Sequence, residues 1–310
     1  DEVAIGGGGA GATQVLPAGG PGMAVTASPI GDRAAPIAGT PTPGEGSLLL
    51  GRYRISRILG QGAMGVVFRA TDQNLEREVA VKAMSRDLRR NPDALRFFIE
   101  EAKALAQLNH PNIVSVFDQT HDGDETYLIM EFVDGRTLDE ILQERGRLPV
   151  PTALALIDQL CAGLAYVHSR RVIHRDIKPA NIFVSSEKVV KLGDFGLARV
   201  MRELSIRRTE IRGTPLYMAP EQITGQNVTH RVDLYAVGCT LFELVTGRPP
   251  FIEGEILIHH LATPPPVPSS LEPSVPPALD ELILACIEKE QDARIESAGA
   301  IRDRIRAIAR

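Results

Sequence analysis

Hydrophobic and polar residues alternate along much of the chain between residues 53 and 132, which is the pattern of β-strands that are buried on one face. Five segments alternate in this way or run apolar between turns: Tyr53–Ile58, Val66–Phe68, Glu78–Met84, Ile113–Phe117 and Thr126–Phe132. The pattern therefore predicts a five-stranded sheet in this part of the chain.

One helical pattern interrupts these strands. Phe97, Glu101, Leu105 and Leu108 follow one another at intervals of 4, 4 and 3 residues, which places them on one helix face. The helix is expected to begin at Asn91-Pro92-Asp93 and to end at Asn109-His110-Pro111. A sheet with one helix constitutes a small α+β lobe.

After Asp134-Gly135 the patterns become mainly helical. Apolar stripes predict helices around Leu156–Val167, Val232–Val245, Leu279–Glu288 and, with a basic face, Ala298–Arg310. Short strands are predicted at Val172–Ile173, Ile182–Val184 and Val189–Leu192, and the prolines of Pro264–Pro277 predict an irregular surface connection. We therefore expect a two-lobed α+β protein whose second lobe is larger and mainly helical.

The first 46 residues differ in composition from the rest. They hold 12 of the 28 glycines and 6 of the 22 prolines, and they contain no aromatic residue. Such a segment cannot bury enough apolar surface to offset the entropy of ordering it. The expected organisation is a disordered Gly/Pro-rich tail over 1–47, a small lobe over 48–133 and a large lobe over 134–310.

Charge and cysteine content exclude several functions. The net charge of −5 argues against a nucleic-acid partner, because phosphate binding needs clustered positive charge. No signal peptide and no membrane-spanning run are expected. The three dispersed cysteines suit a reducing compartment, so the protein is predicted to be cytoplasmic. The chain does not begin with Met, so a longer parent protein, which could be tethered to a membrane, is also expected.

A G-x-G-x-x-G motif, Gly60–Gly65, lies between two predicted strands. Glycines allow backbone N–H groups to approach phosphates. The same spacing occurs in dinucleotide-binding folds, but there a helix follows the glycines, whereas here a strand follows them. A plain Gly-rich hairpin remains the alternative for this motif alone.

A lysine, Lys82, lies inside an apolar strand, where a cation needs a partner. Glu101, on the inward stripe of the predicted helix, is the expected partner. A structural ion pair would explain the two residues equally well.

Three further motifs follow in order: His174–Asn181, Asp194-Phe195-Gly196 and Ala219-Pro220-Glu221. With the glycine motif and Lys82, the chain resembles the eukaryotic-type protein kinases, and within them the bacterial Ser/Thr (Hanks-type) branch, over residues 50 to 306. The resemblance implies ATP as the phosphoryl donor and a Ser or Thr hydroxyl of a protein as the acceptor.

The resemblance also implies a role for each matching position. Asp176 would accept the hydroxyl proton, Lys178 would neutralise charge on the γ-phosphate, and Lys82, held by Glu101, would pair the α/β-phosphates. Asn181 and Asp194 would bind Mg²⁺, or Mn²⁺, which suits the same ligands. The positions expected to bind the nucleotide are Gly60, Gln61, Gly62, Gly65, Val67, Ala80, Met130, Glu131, Val133 and Phe183.

Substrate choice and regulation follow from smaller features. Lys178 and Thr214 are typical of Ser/Thr kinases, and Thr214 is expected to bond Asp176 or Lys178. Phosphate on Ser205 or Thr209 would pair with Arg175, although the arginines around those positions could equally be a solvated basic stretch. Thr13, Thr40 and Thr42 are further candidate phosphosites. Self-association for trans-autophosphorylation is compatible with the resemblance, and the sequence leaves it open.

Some positions are expected to support the fold. Arg294 would pair with Glu221, although the Asn-Pro that usually precedes it is Glu290-Gln291 here. A stack that links the two lobes is implied for Leu105, Val116, His174 and Phe195.

Two other functions are compatible with parts of the sequence. A pseudokinase that binds nucleotide or a partner without turnover is the main alternative, but such proteins usually lack the equivalents of Lys82, Asp176 or Asp194. A small-molecule phosphotransferase of similar fold is disfavoured, because it would generally lack the segment from Thr214 to Glu221.

Overall fold

The fold was analysed in a computed structural model that describes residues 44–62, 65–123, 125–195 and 215–310, without the side chains of Asp87, Phe97 and Glu101. The predicted tail lies outside the described residues except for 44–47. Thr214 and the candidate phosphosites, including Ser205 and Thr209, lie outside them as well.

The small lobe contains a six-stranded antiparallel sheet in the order β1-β2-β3-β4-β6-β5. Its strands are β1 Leu48–Leu49, β2 Tyr53–Gly62, β3 Gly65–Asp72, β4 Arg77–Met84, β5 Val116–Asp122 and β6 Glu125–Glu131. The expectation of five strands omitted β1, which pairs with the start of β2. Two residues are too few to show an alternating pattern.

The predicted strand Ile113–Phe117 was misplaced, since β5 begins at Val116. The preceding residues pair with Leu192 of the large lobe instead. The Val114 N–H donates to the Leu192 carbonyl at 3.0 Å, and the Leu192 N–H donates to the Asn112 carbonyl at 3.0 Å. This apolar segment therefore joins the two lobes rather than extending the sheet.

The small lobe has two helices where one was expected, α1 Arg86–Arg89 and α2 Pro92–Leu105. Helix α2 begins where the sequence predicted, and the Asn91 side chain caps it by accepting from two N–H groups of its first turn. The helix ends earlier than expected because the chain tightens into i+3 turns after Leu105. Its described buried residues are Ala94, Phe98, Ala102 and Leu105. Leu105 and Leu108 of the predicted stripe are buried, and Ala94, Phe98 and Ala102 pack with Met84 and Leu128 of the sheet.

The large lobe is mainly helical. Its helices are α3 Leu138–Arg145, α4 Val150–Ser169, α5 Pro220–Thr224, α6 Arg231–Thr246, α7 Ile256–Ala262, α8 Pro268–Leu271, α9 Pro277–Cys286 and α10 Ala298–Ile308. A three-stranded antiparallel sheet is formed by β7 Gly135–Thr137, β8 Ile182–Ser185 and β9 Val190–Leu192, and a 3₁₀ turn covers Pro179–Asn181.

Two predictions for this lobe were wrong in detail. Val172–Ile173 forms no strand, because the Val172 N–H bonds the Val167 carbonyl and closes the end of α4. The proline-rich connection contains the short helix α8.

Helices α4 and α6 form the centre of the large lobe. Helix α6 buries thirteen residues. Helix α4 is the one helix of the described residues that is long and apolar enough by composition to cross a membrane, which the run-length argument from sequence had missed. Nine of its residues are buried in the lobe core. Arg302 of α10 binds Asp158 of α4 through two hydrogen bonds of 2.9 and 3.0 Å, so the basic terminal helix covers α4.

Candidate active site

The glycine motif forms the hairpin end of β2 and β3, with Gly62 paired to Gly65. A Cβ at Gly60 or Gly62 would meet no atom of the described residues within 4 Å, so space remains above both positions. Gly65 has a φ of +137°, and a Cβ there would lie 1.8 Å from the Ala83 carbonyl oxygen. The hairpin therefore requires glycine at Gly65, whereas the other two glycines leave room for a ligand.

Lys82 lies on the central strand β4 and is 5 % exposed. Its Nζ donates to Asp194 Oδ1 at 2.6 Å. The positive charge of Lys82 lowers the pKa of Asp194, although burial acts in the opposite direction. Glu101, the partner expected from sequence, lies on α2, and its side chain is outside the described set. The partner that the structure gives to Lys82 is Asp194.

Three of the predicted catalytic and metal-binding side chains meet on the loop before β8. Asp176 Oδ2 accepts from Lys178 Nζ at 2.9 Å and from Asn181 Nδ2 at 2.9 Å. Asn181 Nδ2 also donates to the Asp176 carbonyl at 2.7 Å. The Asp176 carboxylate is thereby fixed in orientation while it keeps one oxygen, Oδ1, free of these bonds.

The two predicted metal ligands present suitable atoms. The amide nitrogen of Asn181 is used by Asp176, which leaves its oxygen for other partners. The Asp194 carboxylate is 43 % exposed. These hard oxygens fit Mg²⁺. Among the described residues no group of three or more His, Cys, Asp or Glu side chains could hold a metal, so water and phosphate oxygens would have to complete the coordination.

His174 connects the loop that carries Asp176, which we call the catalytic loop, to Asp194. Its Nδ1 accepts from the Asp176 N–H at 3.2 Å, so its proton must reside on Nε2. Nε2 then donates to the Gly193 carbonyl at 2.8 Å, directly before Asp194. Arg175 and Asp194 themselves have φ angles of 68° and 53°. Such backbone costs about 1 kcal/mol or more per residue and persists where the surroundings enforce it.

Asp233, on α6, holds the catalytic loop in place through hydrogen bonds to its backbone. It is 0 % exposed and accepts from the N–H groups of His174 at 2.9 Å and Arg175 at 2.7 Å, and from His168 Nε2 at 2.8 Å. Burial raises the pKa of Asp233, but the hydrogen bonds from His168 and from the Arg175 N–H act in the opposite direction, and the pKa is lowered on balance. Sequence reasoning missed this residue, although a carboxylate inside an apolar helix was a visible signal.

The strand that leads into the connection between lobes carries Met130 and Glu131. The Glu131 carboxylate accepts from Lys191 Nζ at 3.0 Å and from the Ser115 N–H at 3.1 Å. The Glu131 N–H donates to the Ser115 carbonyl at 2.9 Å. The side chain and N–H of Glu131 are thus used inside the protein, while Val133 follows in irregular backbone.

The remaining positions expected to bind the nucleotide lie on four strands. Ala80 on β4 pairs with Met130 on β6 and is buried, and Phe183 lies on β8. The Phe183 ring lies against Gly193, where an added Cβ would come within 2.9 Å of the ring. Gln61 and Val67 lie on β2 and β3, next to the hairpin.

A cavity of about 30 Å³ lies behind Met130. Leu105, Val116 and Phe195 all line it, together with Lys82 and Asp194. The His174 and Phe195 rings have their centroids 4.4 Å apart. The four residues expected to stack between the lobes are therefore gathered at this place.

Residues 215–219, which we call the docking segment, lie between the undescribed residues and α5. The Tyr217 hydroxyl donates to Glu243 Oε2 at 2.6 Å. Burial raises the pKa of Glu243 to about 7. Beyond the segment, Arg294 binds Glu221 through bonds of 2.8 and 3.2 Å, which is the pairing expected from sequence. Tyr217 and Glu243 were not predicted, because only the fold brings them together.

These groups occur in the order and in the places that characterise the protein kinase class. The sequence model of the family named "Protein kinase domain" matches residues 53–304. The chain belongs to this family. Its curated relatives include bacterial serine/threonine-protein kinases, and similar solved structures include a bacterial kinase domain.

Three comparisons illustrate the similarity. Serine/threonine-protein kinase PknB of Mycolicibacterium smegmatis is 40 % identical over 261 residues, which cover 81 % of this chain and 42 % of that protein. Serine/threonine-protein kinase PrkC of Bacillus subtilis is 38 % identical over 258 residues, covering 82 % and 40 %. The crystal structure of the Mycobacterium tuberculosis PknI kinase domain matches with a TM-score of 0.70 at 28 % identity, covering 85 % of this chain and 98 % of that one. The chain spans about 40 % of the length of the curated relatives it matches.

Proposed function

We propose that the chain is an active kinase domain that transfers the γ-phosphoryl group of ATP to Ser or Thr hydroxyls of proteins, itself included. The single observation that carries this proposal is the Asp176 carboxylate, which Lys178 and Asn181 orient while one of its oxygens stays free. A carboxylate held in this way can accept the proton of an incoming hydroxyl. A pseudokinase transfers no phosphoryl group and therefore does not need a carboxylate oriented in this way.

The nucleotide would lie between the two lobes. Gly60, Gln61, Gly62 and Gly65 would cover its phosphates, while Val67, Ala80 and Phe183 would enclose the adenine beside Met130. Because the Glu131 N–H already bonds Ser115, the contact of Glu131 with the adenine edge would use its carbonyl oxygen, and Val133 would supply the other backbone contact. The Lys82 ammonium group would donate to the α/β-phosphates in place of part of its interaction with Asp194. Glu101 would be its second protein partner.

Asn181 and Asp194 would hold Mg²⁺ or Mn²⁺, which neutralises phosphate charge when bound. Lys178 would place its ammonium group near the γ-phosphate, since its side chain is 37 % exposed. His174 keeps its proton on Nε2 and so fixes the distance between the Asp176 loop and Asp194. The chain's own contribution is therefore positioning and electrostatics.

The surrounding organisation is also part of this proposal. Residues 1–47 would be a tail, 48–133 the small lobe and 134–310 the large lobe, and Thr214 would bond Asp176 or Lys178. Protein substrates and a second copy of the chain are the proposed partners, in the bacterial cytoplasm. Three free cysteines, all buried, agree with a reducing compartment.

The test is phosphate incorporation into the purified chain from labelled ATP and Mg²⁺, beside the variants Asp176→Asn and Lys82→Ala. Lys188→Gln, at an exposed lysine of the β8–β9 turn, is the matched control. We expect label in the wild type and the control and its loss in both site variants, with mass spectrometry assigning the sites among Ser205, Thr209 and the tail threonines. ATP binding without label on the chain or on casein would contradict an autonomous enzyme and favour a pseudokinase.

A further inference from the structure

A buried glutamine of helix α5 bridges two segments of the large lobe. Gln222 is 4 % exposed, and both ends of its side-chain amide are hydrogen-bonded. Its Oε1 accepts from the Ala219 N–H at 3.1 Å, and its Nε2 donates to the Arg175 carbonyl oxygen at 3.0 Å. Ala219 is the last residue of the docking segment, whereas Arg175 directly precedes Asp176 in the catalytic loop. One side chain therefore joins these two segments.

The carbonyl that Gln222 binds belongs to the peptide group between Arg175 and Asp176. The nitrogen of the same peptide group donates to His174 Nδ1 at 3.2 Å. Because a peptide group is planar, bonds at its oxygen and at its nitrogen together fix its orientation. Arg175 has a φ of 68°, a conformation that persists where the surroundings enforce it. Gln222 is therefore one of the groups that set the direction in which the chain enters Asp176.

Helix capping explains only one of the two bonds of Gln222. A glutamine at the third position of a helix commonly accepts from the N–H of the residue that precedes the helix, which here is Ala219. Capping gives no role to the amide nitrogen. That nitrogen instead reaches Arg175, which lies 47 positions earlier in the chain. Its bond to a loop outside the helix calls for an explanation of its own.

We propose that Gln222 is a positioning residue for phosphoryl transfer: its Nε2 holds the peptide group before Asp176, while its Oε1 holds the end of the docking segment. The two bonds keep the Asp176 carboxylate at a fixed place relative to that segment. This inference rests on the proposed function. The residues proposed to bind ATP lie on other elements, so loss of the amide should act on kcat and leave nucleotide binding unchanged.

The variant Gln222→Glu separates the two bonds by pH. One oxygen of the new acid can still accept from the Ala219 N–H, but the other can donate to the Arg175 carbonyl only while the acid is protonated. Burial raises the pKa of such an acid toward neutral pH. With casein as substrate, kcat relative to wild type at the same pH should be within about twofold at pH 6 and roughly 10- to 100-fold lower at pH 9. Nearby ionisable groups, such as Glu221 and Asp233, are present in both proteins, so this ratio reports the substituted acid.

Two further variants complete the kinetic test. Gln222→Met removes both bonds and carries no charge, so its relative kcat should be low at every pH, with the KM for ATP unchanged. Gln159 supplies the matched control, because its amide also bridges two backbone groups away from the candidate site. Its Oε1 accepts from the Val190 N–H at 3.0 Å, and its Nε2 donates to the Lys188 carbonyl at 3.2 Å. Gln159→Glu should keep the wild-type kcat across the same pH range.

A second measurement does not depend on turnover. Amide hydrogen exchange is compared between the wild type and Gln222→Met at one pH. The amides of residues 174–177 should exchange faster in the variant, because the peptide group before Asp176 has lost one of its bonds. Strand β9, Val190–Leu192, should exchange at the same rate in both proteins. If Gln222→Met does not fold, the pH series of Gln222→Glu decides the question.

A wild-type kcat in Gln222→Met would overturn the inference, as would equal losses at pH 6 in Gln222→Met and Gln222→Glu, since a protonated acid would then fail to replace the amide. A parallel rise in the KM for ATP would also overturn it, because that result describes a general loss of structure. If the wild type transfers no phosphate, the proposed function fails, and hydrogen exchange alone then decides whether Gln222 holds the catalytic loop.

Discussion

Each end of helix α6 carries a carboxylate, Asp233 fully buried and Glu243 half-buried, and the pKa values of the two shift in opposite directions. Asp233 accepts from two backbone N–H groups and one histidine, and its pKa is lowered. Glu243 accepts a hydrogen bond from the Tyr217 hydroxyl, and its pKa is raised to about 7. The comparison shows that the number and kind of donors, rather than depth alone, decide which charge a buried acid carries.

This difference separates the two functional regions that α6 supports. The Asp233 end holds the catalytic loop with an acid that stays ionised at neutral pH. The Glu243 end holds the docking segment with an acid that titrates near neutral pH. We therefore expect the anchoring of the catalytic loop to be insensitive to pH near neutrality. The anchoring of the docking segment should change with pH in the same range.

The largest effect is expected from Asp233→Ala. The substitution leaves three buried donors without their acceptor, so the free energy of unfolding should fall by about 3–5 kcal/mol in urea titration. Asp280→Ala is the matched control, because Asp280 is also buried but accepts one described bond, from the Ser269 N–H. Equal losses in the two variants would contradict the argument from donor number.

A buried carboxylate with a cationic partner extends the comparison. Glu221 is paired with Arg294, whose side chain is 0 % exposed. Arg294→Met should lower the free energy of unfolding by about 3 kcal/mol, because it leaves Glu221 buried without its cation. The double variant with Glu221→Gln should lose less than the sum of the single losses. Additive losses in the urea titrations would show that the two residues do not act as a pair.

Glu243→Gln tests the other end of α6 through pH. Since folding raises the pKa of Glu243 from 4.5 to about 7, the folded state favours the protonated acid. Its contribution to stability is fully present below about pH 4.5 and is lost as the pH rises through 7. Unfolding midpoints at pH 5, 6, 7 and 8 should decline more steeply in the wild type than in Glu243→Gln. Parallel pH profiles for the two proteins would contradict a raised pKa for Glu243.

The smallest effect is expected from Tyr217→Phe, which removes the hydroxyl that donates to Glu243. A lost hydrogen bond should lower the free energy of unfolding by about 1 kcal/mol at pH 8, where Glu243 is ionised. At pH 5 the loss should be smaller, because the protonated acid depends less on a donor. A larger loss at pH 5 than at pH 8 would show that the hydroxyl does not stabilise the ionised form.

Much of the fold and of the candidate site could be predicted from the sequence because local spacing carries the information. The alternating strands, the glycine hairpin and the loop from His174 to Asn181 depend on neighbours in the chain. The start of α2 was predicted for the same reason. The family resemblance placed Arg294 opposite Glu221, which spacing alone would not have done.

The rest depends on tertiary packing. Ile113 and Val114 were assigned to a strand of the small sheet, but this part of the chain pairs with Leu192 of the large lobe instead. Val172–Ile173 were assigned to a strand, but this segment closes the end of α4. The Lys82–Asp194 bond joins residues 112 positions apart, and the bond between Tyr217 and Glu243 joins two further elements. No local sequence pattern predicts contacts between residues so far apart in the chain.

The most direct test of the central claim uses the chain as its own substrate. Wild-type protein is incubated with Mg²⁺, labelled ATP and a tagged copy that carries Asp176→Asn and cannot label itself. Phosphoryl transfer by the proposed mechanism predicts label on Ser or Thr of the tagged copy, and no label when both copies carry the substitution. Absence of label on either copy, while both bind ATP, would contradict the account.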